Sequence, residues 1–279
     1  MITLLQQDIA WAQPAANRQA AKDAILSTPG SDLYVLPEMW DYGFSVKPCN
    51  PAYDPEGTIQ WMKDMARATN AAIAGSVATP ESGKWYNRFH FVMPDGREAH
   101  YDKRHTFTYG GEGDAFERGT LPTIAEWRGM RYLLQICYDL RFPAFSRNEY
   151  AAGSPTLASY DCILYVASWP SSRRHVWDTL LRARAIENQC YVCGINRIGS
   201  DPLCHYDGGT VCIDPYGNTL SSCTDGKAGT ASVEIDVDGL RRFREKFPVL
   251  RDADHICLDA TETRFSCTFS EQGQDLPHH

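Results

Sequence analysis

Short apolar runs of strand length alternate with amphipathic stretches of helical spacing, and this alternation limits the fold more than any other feature. The strand-like runs include residues 2–5, 33–36, 72–77, 132–136 and 162–168, and the helical stretches include residues 14–26, 58–69 and 174–189. No repeat or linker interrupts the pattern. The 279 residues therefore predict one α/β domain with two sheets and outer helices, a core over about residues 1–250 and a tail over 251–279.

Two long segments lack strand or helix spacing and are predicted to be surface loops. Residues 41–56 hold three prolines, and residues 104–121 are rich in glycine and aromatic side chains. Residues 144–152, in contrast, are predicted to form a helix.

The apolar run at residues 132–136 ends at Cys137, and the polar residues Asp139 and Arg141 follow before a proline redirects the chain. Open α/β folds place their chemistry at the carboxyl ends of strands. A sharp turn at that point also frees the backbone N–H of Tyr138 to face a developing oxyanion. Taken by itself, this stretch favours a core cysteine, because free cysteines are among the most buried residues.

Two further ionisable residues follow strand-like runs. Glu38 comes after the run at residues 33–36, and Lys103 ends a run that starts after the turn signal Pro-Asp-Gly at 94–96. A neighbouring ammonium is expected to lower the pKa of the Cys137 thiol, and a glutamate held between apolar strands suits proton transfer. Each residue alone is more simply a surface charge. Together, Glu38, Lys103 and Cys137 predict a catalytic site at the edge where these strands end.

The segments that contain these residues resemble the three catalytic motifs of the nitrilase, or carbon–nitrogen hydrolase, superfamily. These segments are PEM (37–39), YDKRH (101–105) and CYDLRFP (137–143). Later segments also resemble the family, namely RARAIEN (182–188) and GGTVCIDPYG (208–217). Within the family the chain is most similar to bacterial omega-amidases, through the segments already given and through VASWP (166–170) and REKFP (244–248).

The resemblance implies a four-layer αββα sandwich of the nitrilase type that forms a homodimer through outer helices, including residues 174–189. It also implies a catalytic triad of Glu38, Lys103 and Cys137. The family has a further glutamate between its lysine and cysteine motifs, and Glu112 in GGEG (110–113) matches that position. The alternative for Glu112 is an exposed acid in a loop.

The implied reaction is hydrolysis of an amide through a Cys137 thioester, with release of ammonia. An omega-amidase acts on a short dicarboxylic acid monoamide of the 2-oxoglutaramate or 2-oxosuccinamate type, whose free carboxylate needs a cation. The candidates are Arg141, Arg173 and Arg174, although each could equally be structural. Tyr42, Phe44 and Trp169 could each be a pocket wall or a core aromatic residue, and the pocket wall is favoured only for Trp169.

Other functions remain open at this stage. Within the family, the alternatives are another amidase, a carbamoyl hydrolase or a nitrilase. Nitrilases usually follow the cysteine with Trp-Glu, whereas Tyr138 and Asp139 resemble the amidase pattern. Outside it, the chain could be a non-catalytic binding protein on the same fold or a cysteine–histidine hydrolase. The intact Glu–Lys–Cys set argues against the first, and no histidine has a context as specific as that of Lys103.

Composition argues against several classes of protein. A net charge of −8 and a pI near 5.5 disfavour nucleic-acid binding, and no apolar stretch is long enough to predict a membrane span. The amino terminus lacks the pattern of a signal peptide, so a cytoplasmic protein with mostly reduced cysteines is expected. The single CxxC, residues 190–193, lies in a strand-like run. We therefore expect neither a metal nor a cofactor, and a small amide as the ligand.

Overall fold

The computed structural model describes residues 1–47, 53–150 and 158–254. The first group of strands is β1 (Ile2–Gln6), β2 (Leu33–Val35), β3 (Ala72–Glu81), β4 (Lys84–Val92) and β5 (Glu98–Asp102). The others are β6 (Thr123–Trp127), β7 (Met130–Ile136), β8 (Cys162–Ala167), β9 (Tyr191–Asn196), β10 (Ile198–Ser200), β11 (His205–Asp207), β12 (Val211–Ile213), β13 (Thr219–Ser222) and β14 (Gly229–Val233). The α-helices are α1 (Pro14–Ser27), α2 (Pro55–Thr69), α3 (Glu112–Ala115), α4 (Arg174–Glu187) and α5 (Val237–Lys246).

Two six-stranded sheets form the centre of the fold. Their strand orders are β14-β1-β2-β3-β4-β5 and β13-β12-β9-β8-β7-β6. In each sheet three neighbouring strands are parallel, β1-β2-β3 in one and β7-β8-β9 in the other, while the pairs at the edges are antiparallel. Within each sheet the parallel strands end at the same edge, and the carboxyl ends of β2 and β7, which belong to different sheets, lie where Glu38 and Cys137 line one pocket.

Three apolar clusters separate the layers. The cluster between the sheets joins Val35 of β2 and Phe91 of β4 to Leu134 of β7. A second cluster packs α1 and α2 on the outer face of the first sheet, and a third packs Trp177 and Leu181 of α4 on the second sheet. Strand side chains alternate between these clusters with the two-residue period of a pleated strand. The result is the predicted αββα sandwich.

The C-terminal helix α5 is anchored by a buried arginine. The Arg244 guanidinium donates to Asp161 Oδ1 at 3.0 Å, to the carbonyl of Tyr160 at 2.9 Å and to the carbonyl of Gln189 at 2.9 Å. Arg131 also pairs with Asp161, at 3.0 Å. Within the described part of the chain, no helix is long and apolar enough to cross a membrane.

The predicted helix over residues 144–152 is wrong in its described part. Pro143–Ser146 forms one 3₁₀ turn, and the described chain beyond it, to residue 150, is not helical; residues 151 and 152 lie outside the described residues. The cause is Asn148, whose side chain donates to the carbonyls of Tyr160 and Asn188 at 3.1 Å each. These contacts hold the segment against neighbouring chain, in a conformation that local apolar spacing does not reveal.

A hairpin formed by β10 and β11 was not predicted. Its strands have three residues each, too short for a periodic signal, and its turn is held by Asp201 Oδ1, which accepts the backbone N–H groups of Leu203 and Cys204 at 2.8 and 2.7 Å. Gly199 has a φ of +86°, and a Cβ there would lie 2.0 Å from Asp8 Oδ1. The hairpin forms part of the rim of the pocket described next.

Candidate active site

The ends of the two sheets bring the three predicted residues together in one pocket of about 520 Å³. Glu38 follows β2, Lys103 directly follows β5, and Cys137 directly follows β7. Lys103 Nζ donates to Glu38 Oε1 at 2.8 Å, and both side chains are only 1% exposed. The pocket is lined by all three side chains. The structure therefore brings the three residues together, and their catalytic role stays a prediction.

Glu112 belongs to the same cluster and is fully buried, not an exposed loop acid. It is the first residue of α3, a single turn that follows Gly111, whose φ is +75°. Glu112 Oε2 accepts from Lys103 Nζ at 2.8 Å and from the backbone N–H of Phe107 at 2.6 Å. The predicted loop over residues 104–121 thus folds inward to place a second carboxylate on the ammonium.

Burial and charge act in opposite directions on this cluster. Burial by itself would lower the pKa of Lys103, but the Glu112 and Glu38 carboxylates raise it above its ordinary value. Burial raises the pKa of Glu112, and the Lys103 ammonium offsets part of that increase. The two carboxylates therefore favour the charged form of Lys103.

The Cys137 thiol differs from the sequence-based expectation. Burial raises its pKa well above the usual range, the Glu38 carboxylate adds to the increase, and Lys103 offsets it only in part. Lys103 therefore lowers the pKa of the thiol as predicted, but burial and Glu38 outweigh it, so the net shift is upward and favours the protonated thiol. Cys137 also has a φ of 45°, a left-handed backbone conformation that costs energy in a residue with a Cβ.

Asp139 fixes the turn that carries the thiol. Its buried carboxylate accepts from the Tyr101 hydroxyl at 2.8 Å and from the backbone N–H groups of Ile136 and His105 at 3.0 Å each. His105 Nδ1 lies 2.8 Å from the same carboxylate, and its ring stacks on Phe142 with centroids 3.9 Å apart. No described histidine lines the pocket, so the described residues provide no support for a cysteine–histidine pair.

Two of the three candidate arginines line the pocket. The guanidinium of Arg141 lies over the Trp169 ring at 5.1 Å, and that of Arg173 lies over the Phe107 ring at 5.5 Å. Among the described residues neither has a carboxylate partner. Arg174 does not line the pocket: its Nε lies 2.9 Å from Asp178 and its Nη1 3.0 Å from Asp225. Arg174 is therefore withdrawn as a candidate.

The aromatic walls are only partly those expected. Trp169 lines the pocket, and its indole N–H donates to the Arg173 carbonyl at 2.8 Å. Phe44 was not favoured as a wall, but it lines the pocket 5.5 Å from Lys103 Nζ. Tyr42 packs against Tyr53 in the core under α2. Tyr138 lines the pocket next to the nucleophile.

One buried polar residue was missed. Asn87 is fully buried on β4, and its Nδ2 donates to Glu38 Oε1 at 2.8 Å and to Glu112 Oε1 at 2.9 Å. A signal for it exists in the sequence, because Asn87, Phe89 and Phe91 occupy alternate positions of one strand. An amide at an inward position is unusual unless it binds something.

A two-sheet αββα fold that brings a cysteine, a lysine and two glutamates together defines a hydrolase of the nitrilase type. The chain belongs to the carbon-nitrogen hydrolase family, whose sequence model matches residues 1–245. The predicted family and its fold are confirmed.

Individual relatives show the same similarity. Omega-amidase YafV of Escherichia coli (strain K12) is 42% identical over 92% of this chain and 98% of its own length. The 2-oxoglutaramate amidase of Bacillus subtilis (strain 168) is 32% identical over 90% of this chain and 96% of its own. Among solved structures, XC1258 of Xanthomonas campestris is a CN-hydrolase superfamily protein with an arsenic adduct in its active site. It aligns with a TM-score of 0.87 and 38% identity over 92% of this chain and 98% of that one.

Proposed function

We propose that this chain is an omega-amidase, which hydrolyses the terminal amide of a short dicarboxylic acid monoamide of the 2-oxoglutaramate or 2-oxosuccinamate type and releases ammonia. The observation that carries the proposal is the pocket itself, where a cysteine beside a Glu–Lys–Glu cluster faces two arginines without carboxylate partners. Such a pocket offers a nucleophile at one end and an anion site at the other. The similarity to two curated amidases of this kind supports the same conclusion.

In the first half-reaction, Glu38 takes the thiol proton while the sulfur of Cys137 bonds to the amide carbon. The raised pKa of the thiol makes this base necessary, because little thiolate forms without it. The carbonyl oxygen becomes an oxyanion, which the Lys103 ammonium and the Tyr138 backbone N–H stabilise. Glu38 then gives its proton to the departing nitrogen, so ammonia leaves and a thioester remains.

In the second half-reaction, the thioester is hydrolysed by the same groups. Glu38 takes a proton from water, and the hydroxyl adds to the thioester carbon. The oxyanion forms again at Lys103 and Tyr138. When it collapses, the carbon–sulfur bond breaks, the proton on Glu38 returns to the sulfur, and the carboxylic acid leaves.

Glu112 positions Lys103 through the cycle. While Glu38 carries a proton, Glu112 remains the anionic partner of the Lys103 ammonium, at 2.8 Å. Without it, a buried ammonium would lose its only charged partner at the stage when it must hold an oxyanion. This arrangement gives the two glutamates separate tasks.

The proposed function is tested by ammonia release from 2-oxoglutaramate, succinamate, neutral amides, ureides and nitriles. Cys137→Ala should abolish turnover with the fold intact, and Lys103→Ala should lower kcat by about 10²–10³-fold, as for a lost oxyanion donor. Cys223→Ala, which removes a partly exposed thiol outside the pocket, is the control and should keep full activity. Undiminished turnover in Cys137→Ala would refute the mechanism, and a preference for nitriles or ureides would refute the substrate class.

We propose further that the chain is one catalytic domain, forms a homodimer and works in the cytoplasm. The family match across residues 1–245 supports a single domain. The described cysteines are free thiols, including Cys193 and Cys212 with sulfur atoms 3.5 Å apart, which supports a reducing compartment. Exposed apolar side chains near the end of α4, Ile186 among them, support the dimer.

A further inference from the structure

The two glutamates of the site differ in how many hydrogen bonds they accept. Among the described residues, Glu112 accepts four: Oε1 from Asn87 and Lys103, and Oε2 from Lys103 and the backbone N–H of Phe107. A carboxylate offers about four lone-pair positions. Glu112 is therefore saturated, and a proton could bind to it only by displacing a donor.

Glu38 accepts three hydrogen bonds from described groups other than the Cys137 thiol. Its Oε1 accepts from Asn87 and Lys103 at 2.8 Å each, and its Oε2 accepts from the backbone N–H of Ser168 at 2.8 Å. The Cys137 thiol is also a hydrogen-bond partner of this carboxylate. The lone-pair position that remains for the thiol proton belongs to Oε2. This is the oxygen that can receive a proton without breaking a contact.

The extra hydrogen bond of Glu112 comes from Lys103, which contacts both of its oxygens, whereas Asn87 Nδ2 donates to Oε1 of each carboxylate and so occupies one lone-pair position on each. The backbone carbonyl of Asn87 also accepts from the backbone N–H of Lys103 at 3.0 Å, which fixes the lysine on the same strand pair. The Asn87 Oδ1 atom is buried and has no partner among the described residues. A buried unpaired carbonyl is unfavourable, so packing alone does not explain an asparagine here.

We propose that Asn87 is a positioning residue that keeps Oε1 of both glutamates occupied and so assigns the proton transfers to Oε2 of Glu38. Its amide is neutral, so it donates hydrogen bonds to both carboxylates without adding a second positive charge beside Lys103. The inference rests on the proposed amidase reaction and adds to it the atom that moves the proton and the residue that selects this atom.

Loss of the amide has a distinct consequence. In Asn87→Ala each glutamate gains a free lone-pair position on Oε1, so protons bind to the pair more readily. The acid limb of the pH profile of kcat/KM should therefore move to higher pH, and kcat/KM at the wild-type optimum should fall by about 10- to 100-fold. Asn87→Ser keeps one donor, and its acid limb should lie between those of wild type and Asn87→Ala.

The test compares these variants with Asn148→Ala, a control that removes an equally buried amide whose partners among the described residues are backbone groups of Tyr160 and Asn188. Two pH profiles are measured for each protein: kcat/KM for ammonia release, and the rate of Cys137 alkylation by iodoacetamide. The acid limb of both profiles should move to higher pH in the Asn87 variants. In Asn148→Ala neither profile should move. The alkylation profile needs no substrate, so it remains informative if the proposed substrate class is wrong.

Two outcomes would overturn the inference. The first is that folded Asn87→Ala and Asn87→Ser keep their acid limbs at the wild-type pH, whatever the loss of rate. Asn87 would then have only a structural role. A shift of the same size in Asn148→Ala would attribute the effect to general loosening of the fold. If Asn87→Ala does not fold, Asn87→Ser decides between these outcomes, because its side chain still fills part of the site.

Discussion

At the scale of single residues, charge neutralisation determines what each side chain in the pocket can do. Lys103 already has two carboxylate partners, so it is not free to bind the distant carboxylate of a substrate. Arg141 and Arg173 each lie over an aromatic ring, have no carboxylate partner among the described residues, and line the pocket. In a protein of net charge −8, a site for an anionic substrate needs such local cations.

We therefore expect at least one of these arginines to determine substrate choice. Arg141→Ala or Arg173→Ala should lower kcat/KM for 2-oxoglutaramate or succinamate by about 10²-fold, roughly 3 kcal/mol of charge-assisted hydrogen bonding. The neutral amide propionamide should be hardly affected, and Arg→Lys should restore only part of the loss. Arg174→Ala, outside the pocket, is the matched control. Wild-type selectivity in both pocket variants would rule out an arginine clamp on the substrate.

At the scale of elements, the buried carboxylate of Asp41 links the chain that follows β2 to helix α2. Asp41 Oδ2 accepts from the Thr58 hydroxyl of α2 at 2.8 Å, and Arg18 of α1 donates to the same hydroxyl at 2.9 Å. Burial raises the pKa of Asp41 from 3.8 to about 6, with the Thr58 hydrogen bond opposing the increase. The same segment supplies Glu38 and Phe44 to the pocket.

The raised pKa of Asp41 predicts a pH-dependent stability. The folded state favours protonated Asp41, so this contribution is complete below the unfolded pKa and is lost as pH rises through about 6. Asp41→Asn should remove this contribution to the pH dependence. Between about pH 4 and pH 8, the free energy of unfolding should therefore change in favour of the variant over wild type by up to about 3 kcal/mol. Urea unfolding at both pH values measures this, with exposed Asp23→Asn as the control. Equal pH dependence in Asp41→Asn and wild type would contradict it.

At the scale of the whole molecule, several large apolar side chains stay exposed around the end of α4 and around α5. Leu181 of α4 is buried against its own sheet, whereas Ile186 near the end of that helix is 54% exposed. Tyr216 and Phe247 are also largely exposed, and they are linked through Phe243, with ring centroids 4.4 and 6.4 Å apart. Exposed apolar side chains grouped in this way mark an interaction surface.

We expect this surface to join two copies of the chain. Sedimentation at micromolar concentration should give about twice the 31.3 kDa mass of the chain. Ile186→Arg should shift the protein towards the monomer, because a charge would be buried at the interface. Leu26→Arg, at an exposed apolar position on α1, is the control. A mass near that of one chain for wild type would contradict the dimer.

Much of the site could be predicted from the sequence because its residues follow strands. An apolar run of strand length specifies a buried strand, and in a parallel arrangement each run must end at a shared edge. Glu38, Lys103 and Cys137 were therefore located by local pattern, and the αββα layering followed from the same alternation together with the family resemblance. The apolar runs and the family motifs are both local patterns, each confined to a short stretch of consecutive residues.

The tertiary structure decided what depends on distant contacts. The pKa of Cys137 rises because burial outweighs one ammonium, and burial cannot be read from neighbours in sequence. Arg173 and Arg174 are adjacent in sequence, but of the two only Arg173 lines the pocket, because Arg174 forms ion pairs with Asp178 and Asp225. Asn87 acquires its role from carboxylates 49 and 25 residues away. Sequence thus indicated the groups that directly follow strands, and packing determined which other groups join them, their protonation and their partners.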